Sequence, residues 1–116
     1  MSPDDRTRFR HLADALTSAL RFIENRERTD LDADEMLLFA LMHAIEIAGE
    51  AARQISSEGR AELDLPWADI VGMRNRLAHV YFDVDLDILW TTVTEAVPPV
   101  LERVRLLLAS DDEQLS

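Results

Sequence analysis

A chain of 116 residues has room for one compact domain and little for a second. The absence of cysteine excludes disulfides and thiolate metal sites, and no apolar run approaches the roughly 18 residues of a membrane span. A net charge of -11 argues against a protein that coats nucleic acid through a broad basic surface. All basic residues other than histidine are arginine, so a small local phosphate site built from guanidinium forks stays open. The start, Met1-Ser2-Pro3-Asp4-Asp5, lacks the basic-then-apolar pattern of a signal peptide, so a soluble cytoplasmic protein with no membrane partner is expected.

Taken in chain order, the periodicity predicts a first helix from about Pro3 to about Asn25. Phe9, Leu12, Leu16, Leu20 and Ile23 recur there at spacings of three and four and line one side. Arg6, Arg8 and Arg10 read as a solvated face. Asn25 to Asp30 is polar and reads as a connection. A second helix is expected from Asp30 or Asp32, either of which can cap it, through Leu37, Leu41, Ile45, Ala48 and Ala52 to Ile55. The run Ser56-Ser57-Glu58-Gly59 should stop it. Its small residues allow another helix, from the same chain or a second subunit, to come close.

Pro66 suits the first turn of a third helix, whose buried stripe is Trp67, Ile70, Val71, Leu77 and Ala78. Gly72 lowers the intrinsic stability of that helix by roughly 1 kcal/mol relative to alanine, a cost that close packing often explains. Asp83 to Asp87 alternates polar and apolar residues. A turn followed by a helix start is preferred over a strand, because aspartates suit the positive end of the helix dipole. The last helix carries Leu89, Val93, Val97, Leu101 and Val104, with Pro98-Pro99 expected to kink or split it. The expected fold is therefore all-α, a single-domain antiparallel bundle of about four to five helices over residues 1–110, followed by an acidic, disordered tail over 111–116.

The chemistry concentrates in Gly72-Met73-Arg74-Asn75-Arg76-Leu77-Ala78-His79-Val80-Tyr81-Phe82. An imidazole moves protons near neutral pH. Arginine binds phosphate and stabilises the extra charge of its transition state. Arg74 and His79 are five positions apart, so an ideal helix would point them about 140° away from one another. Either the helix ends near His79, or a symmetric dimer completes the site. Read from these residues alone, the segment is suggestive only.

The Arg-x-x-x-x-His-x-Tyr pattern of Arg74, His79 and Tyr81 resembles the signature of HEPN domains of the HepT type. Ile45-Glu46-Ile47-Ala48-Gly49-Glu50-Ala51-Ala52, Leu65-Pro66-Trp67, Ile70 to Arg76, Asp85 to Trp90 and Pro98-Pro99 are similar to the family in order and spacing. Such a resemblance implies the toxin of a type VII-like toxin–antitoxin system, a metal-independent homodimeric endoribonuclease without cofactors. It implies that Arg74 holds the scissile phosphate of the RNA, that His79 assists attack by the ribose 2′-hydroxyl, and that Asn75 orients the motif or binds phosphate. Arg76 and Glu50 support the site. The partner it implies is a nucleotidyltransferase antitoxin of the MNT type, which can transfer AMP to Tyr81. One departure is Val80, which stands where glycine is common in similar sequences.

Three other readings stand beside this one. His43, Glu46 and Glu50 share one side of the second helix, but the two Glu-x-x-His motifs of a di-iron bundle are absent, so no metal is expected. His11 reads as a surface residue, and Trp67 and Trp90 as core or interface residues. The alternative function is a non-catalytic HEPN binding module that presents a nucleotide or protein substrate to a nucleotidyltransferase.

Overall fold

The computed structural model describes residues 1–77 and 85–115, and every regular element among them is helical. The long helices are α1 (Pro3–Phe22), α3 (Glu35–Arg53), α5 (Trp67–Leu77) and α7 (Val97–Leu115). Short helices α2 (Asp30–Ala33), α4 (Ser57–Ala61) and α6 (Leu86–Thr91) lie between them. The all-α expectation is borne out, with two short helices beyond the expected set.

The start of α1 packs on the end of α3 through Phe9, Leu12, Ala51, Ala52 and Ile55. Its end packs on the start of α3 through Ala19, Leu37 and Leu41, so the two helices are antiparallel. Helix α7 also runs antiparallel to α1. Thr17 Oγ1 accepts from Arg105, whereas Arg6, nearer the start of α1, pairs with Asp111 and Asp112. These ion pairs withdraw Arg6 from the solvated face expected of it. They also lie in the stretch expected as a disordered tail, across which α7 continues to Leu115.

Local chemistry accounts for the boundaries. Helix α1 starts under Ser2, whose hydroxyl accepts from Asp5 N–H, and ends before Asn25, which takes the left-handed conformation at φ 59°. The helix expected to run unbroken from Asp30 is divided at Asp34. That residue is extended (φ -120°, ψ 96°), and its carboxylate accepts from Leu37 N–H to cap α3. Helix α3 ends at Arg53, before the run expected to stop it, and Ser56 in that run caps α4 by accepting from Gly59 N–H at 3.1 Å. Asp85 caps α6 by accepting from Ile88 N–H, as the aspartate-rich approach suggests.

The proline pair acts as expected, through a specific geometry. Residues Thr92–Ala96 form a π turn, closed by Val97 N–H donating to Thr92 O, five residues back. Pro98 and Pro99 have no N–H to return to the preceding turn, and their rings crowd its carbonyls. Widening that turn relieves the conflict while the rod continues from α6 into α7.

Candidate functional site

Helix α5 carries the arginine motif, and its first turn is firmly held. Trp67 donates its Nε1–H to Leu63 O at 3.1 Å and to Arg60 O at 3.2 Å. Its ring meets Phe9 edge-on at 5.9 Å between centroids, with the Arg60 guanidinium 5.6 Å above it. Three turns of chain therefore converge on one indole, and Trp67, expected as a core or interface residue, packs against the main core. Ile70, one turn on, is buried in the main core.

Gly49 lets α3 and α5 approach backbone to backbone. A Cβ placed there would lie 3.4 Å from Ile70 O and 3.7 Å from Val71 O, at van der Waals contact. Gly72 is different: among the described residues, a Cβ there would meet nothing within 4 Å.

Arg74, Asn75 and Arg76 occupy the last described turns of α5. Asn75 is exposed. Arg74 stands four residues beyond Ile70, one turn along and about 40° round the helix. His79, Val80 and Tyr81 lie outside the described residues.

Glu50 is exposed on α3, one residue beyond the Gly49 contact. Its carboxylate accepts from Arg53 Nη2–H at 2.7 Å and Nε–H at 3.1 Å, and from Gln54 Nε2–H at 2.8 Å. The hydrogen bond and the charge of Glu50 together raise the Arg53 pKa above its ordinary value. The described geometry therefore places Glu50 beside a cation and an amide on its own helix.

His43, Glu46 and Glu50 share a shallow groove with Arg8, His11 and Gln54, so the one-sided spacing seen in the sequence is real. His11 and His43 are both exposed. Among the described residues, no group of three His, Asp or Glu side chains converges as a metal ion requires. No described helix is long and apolar enough to cross a membrane.

Two features were missed by sequence reasoning. The first is a stripe on the outer side of α3, where Met36 is 83% exposed, Phe39 61% and Ile47 41%. Its signal was present, since these residues fall at helical spacing on the side opposite Leu37, Leu41 and Ile45. The second is a cavity of about 480 Å³ between α5 and the α6–π–α7 rod. Ile70 and Met73 line one wall, and Thr92, Ala96 and Val97 line the other.

Residues 12–107 match the family described as Ribonuclease HepT-like. The chain belongs to the HepT-like ribonuclease family. It is 35% identical over 100 residues to a protein of Methanocaldococcus jannaschii that carries the name RNase, covering 83% of this chain and 92% of that one. A Thermococcus cleftensis protein carrying the name ribonuclease HepT is 36% identical over 88 residues, which is 72% of this chain and 80% of that one. A Caldanaerobacter subterraneus protein, also named as an RNase, is 34% identical over 83 residues, 71% of this chain and 74% of the relative. No solved structure matches. At the level of ribonuclease, the enzyme expected from the motif agrees with the family.

Proposed function

We propose that this chain is the toxin of a type VII-like toxin–antitoxin pair, a metal-independent endoribonuclease that works as a homodimer in the cytoplasm. The observation that carries the reading is the placement of Arg74 and Asn75 on a helix braced at its other end by Trp67, within a chain of the HepT-like family. Arg74 binds the scissile phosphate, and Asn75 and Arg76 support it with further N–H donors. The ribose 2′-oxygen attacks phosphorus, the bond to the 5′-oxygen breaks, and the fragment is left with a 2′,3′-cyclic phosphate. His79 takes the proton from the attacking hydroxyl or gives one to the departing oxygen. Such proton transfer is worth roughly 10²- to 10⁴-fold.

The dimer is supported by the outer stripe of α3. Met36, Phe39 and Ile47 form an apolar face that a monomer has little reason to expose. That face belongs to α3, the helix against which α5 packs, so a two-fold axis along it brings two arginine motifs into one neighbourhood. Glu50, at the end of the same stripe, supports the site from α3.

The regulatory partner is a nucleotidyltransferase antitoxin that adds AMP to Tyr81. The added phosphate is anionic and competes with RNA for the arginines. Conversion of Tyr81→Phe should yield a chain that the transferase no longer silences by AMP transfer. Continued silencing by that route would remove Tyr81 from the account.

The activity is tested by digesting RNA with purified, unmodified protein in EDTA and analysing the fragment ends. Cyclic phosphate ends are expected. Ends carrying a 5′-phosphate, or a requirement for added metal, would overturn the mechanism. The net charge of -11 favours the second reading, a non-catalytic HEPN module presenting a substrate to the transferase, and absence of cleavage across several RNA classes would select it.

A further inference from the structure

The cavity beside α5 is walled mainly by hydrocarbon, with Ile70, Met73, Ala96 and Val97 among its lining. Among the described residues, two exposed and opposite charges line it, Asp69 of α5 and Arg103 of α7. Arg103 also donates to Asp64 O, which holds its guanidinium there. A volume of about 480 Å³ falls within the range of small-molecule sites. The wall formed by Thr92 and Ala96 belongs to the π turn, an irregularity frequent at functional sites.

These features select a ligand. An anion placed against the hydrocarbon walls would lose its hydration without compensation. A planar apolar group with donors on one edge and acceptors on another suits both the walls and the two charges. Position narrows the choice, because Ile70 lines the cavity one helical turn before Arg74.

We infer that this cavity seats a purine base of the RNA next to the phosphate held by Arg74, with Asp69 and Arg103 reading its edges. Guanine is the best match. Its N1–H and N2–H form a pair of parallel donors for a carboxylate, and its O6 and N7 are acceptors for a guanidinium. The enzyme then cuts at positions set by guanine. The inference rests on the ribonuclease reading for its role in cleavage, but occupancy of the cavity is testable without cleavage.

Two measurements separate the two claims. In a methyl-labelled sample of the full chain, guanosine 5′-monophosphate is expected to shift the Ile70, Ile88 and Val97 methyl signals, and cytidine 5′-monophosphate to do so much less. Ala96→Trp, which fills the cavity from its π-turn wall, should abolish the shifts while leaving the helical spectrum intact. Absence of shifts in the wild type, or equal shifts with Ala96→Trp, would overturn the site. In the second measurement, cut sites are mapped on a random-sequence RNA. Guanine should be enriched at one fixed position beside the cut, and Asp69→Asn should reduce that preference roughly tenfold, the worth of one bidentate base contact. A preference unchanged in both variants would overturn the reading role. If the wild type cuts nothing, the ribonuclease reading has failed, and the methyl titration still decides the cavity.

Discussion

The two ends of α5 are built differently. Around Trp67, polar groups are satisfied and space is filled: the indole N–H has two carbonyl acceptors, and Phe9 and Arg60 cover the ring. Close by, Asp5 is buried and accepts from Ser56 N–H at 2.9 Å and from the Ser56 hydroxyl, tying the start of α1 to the start of α4. Toward Arg74 the same helix borders a cavity, carries a glycine with no close neighbour among the described residues and leaves Asn75 exposed. Among the described residues, one end is closely packed and the other borders a cavity. Changes at the packed end should therefore register in stability, and changes at the open end in assembly and cleavage.

The largest effect expected concerns the outer face of α3. Ile47→Glu puts a charge into the proposed dimer face, and the chain should sediment as a monomer with its melting temperature little changed. Cleavage should fall about 10²-fold, the scale of a misaligned site. An intact dimer with that substitution would move the interface elsewhere.

Next comes Gly59→Ala at the packed end. The added Cβ would lie 2.6 Å from Asp5 Oδ2 and 2.8 Å from Ile55 Cγ2, with little freedom to give way. Overpacking of this kind costs about 1–3 kcal/mol, readable by denaturant unfolding. Cleavage by the folded fraction should stay near the wild-type rate.

Asp5 gives the same region a pH dependence. The Ser56 backbone N–H, then the Ser56 hydroxyl, holds its carboxyl below the ordinary 3.8, against an opposing effect of burial. A folded-state pKa below the unfolded value means that its stability contribution is complete above the unfolded value. That contribution is lost as pH falls through the folded one. Asp5→Asn should lower stability at neutral pH by about 1–3 kcal/mol, because a charge-accepted hydrogen-bond pair is replaced. It should also flatten the acid limb of a stability-against-pH curve below about pH 4.

The smallest effect is of opposite sign. Gly72→Ala adds a methyl that meets no described neighbour and should stabilise α5 by up to about 1 kcal/mol. A fall in cleavage without loss of stability would show that this face of α5 is covered in the working assembly.

Much of the bundle was legible because apolar residues recur at helical spacing. Phe9, Leu12 and Leu16, and again Leu37, Leu41, Ile45, Ala48 and Ala52, are buried as that spacing requires. What escaped was set by single polar side chains or by distant contacts. The division at Asp34 depends on whether its carboxylate caps a new helix, and nothing in the periodicity distinguishes that from continuation. The role of Gly59 depends on Asp5, more than fifty residues away. Pro98-Pro99 announced an irregularity, but its form as a π turn just before the prolines depends on α7 keeping its packing on α1. For the site, residue types and order in Arg74, Asn75 and Arg76 could be read directly, whereas the cavity beside them is assembled by α3, α5 and the α6–π–α7 rod together.

The most direct test of the account is the rate of RNA cleavage in EDTA by wild type, Arg74→Ala and His79→Ala, each purified identically and checked for unchanged melting temperature. Both variants are predicted to lose at least about 10²-fold in rate while remaining dimeric, as expected for removal of a charge-stabilising donor and of a proton carrier. Equal cleavage by all three would contradict the assignment of the ribonuclease site to this motif.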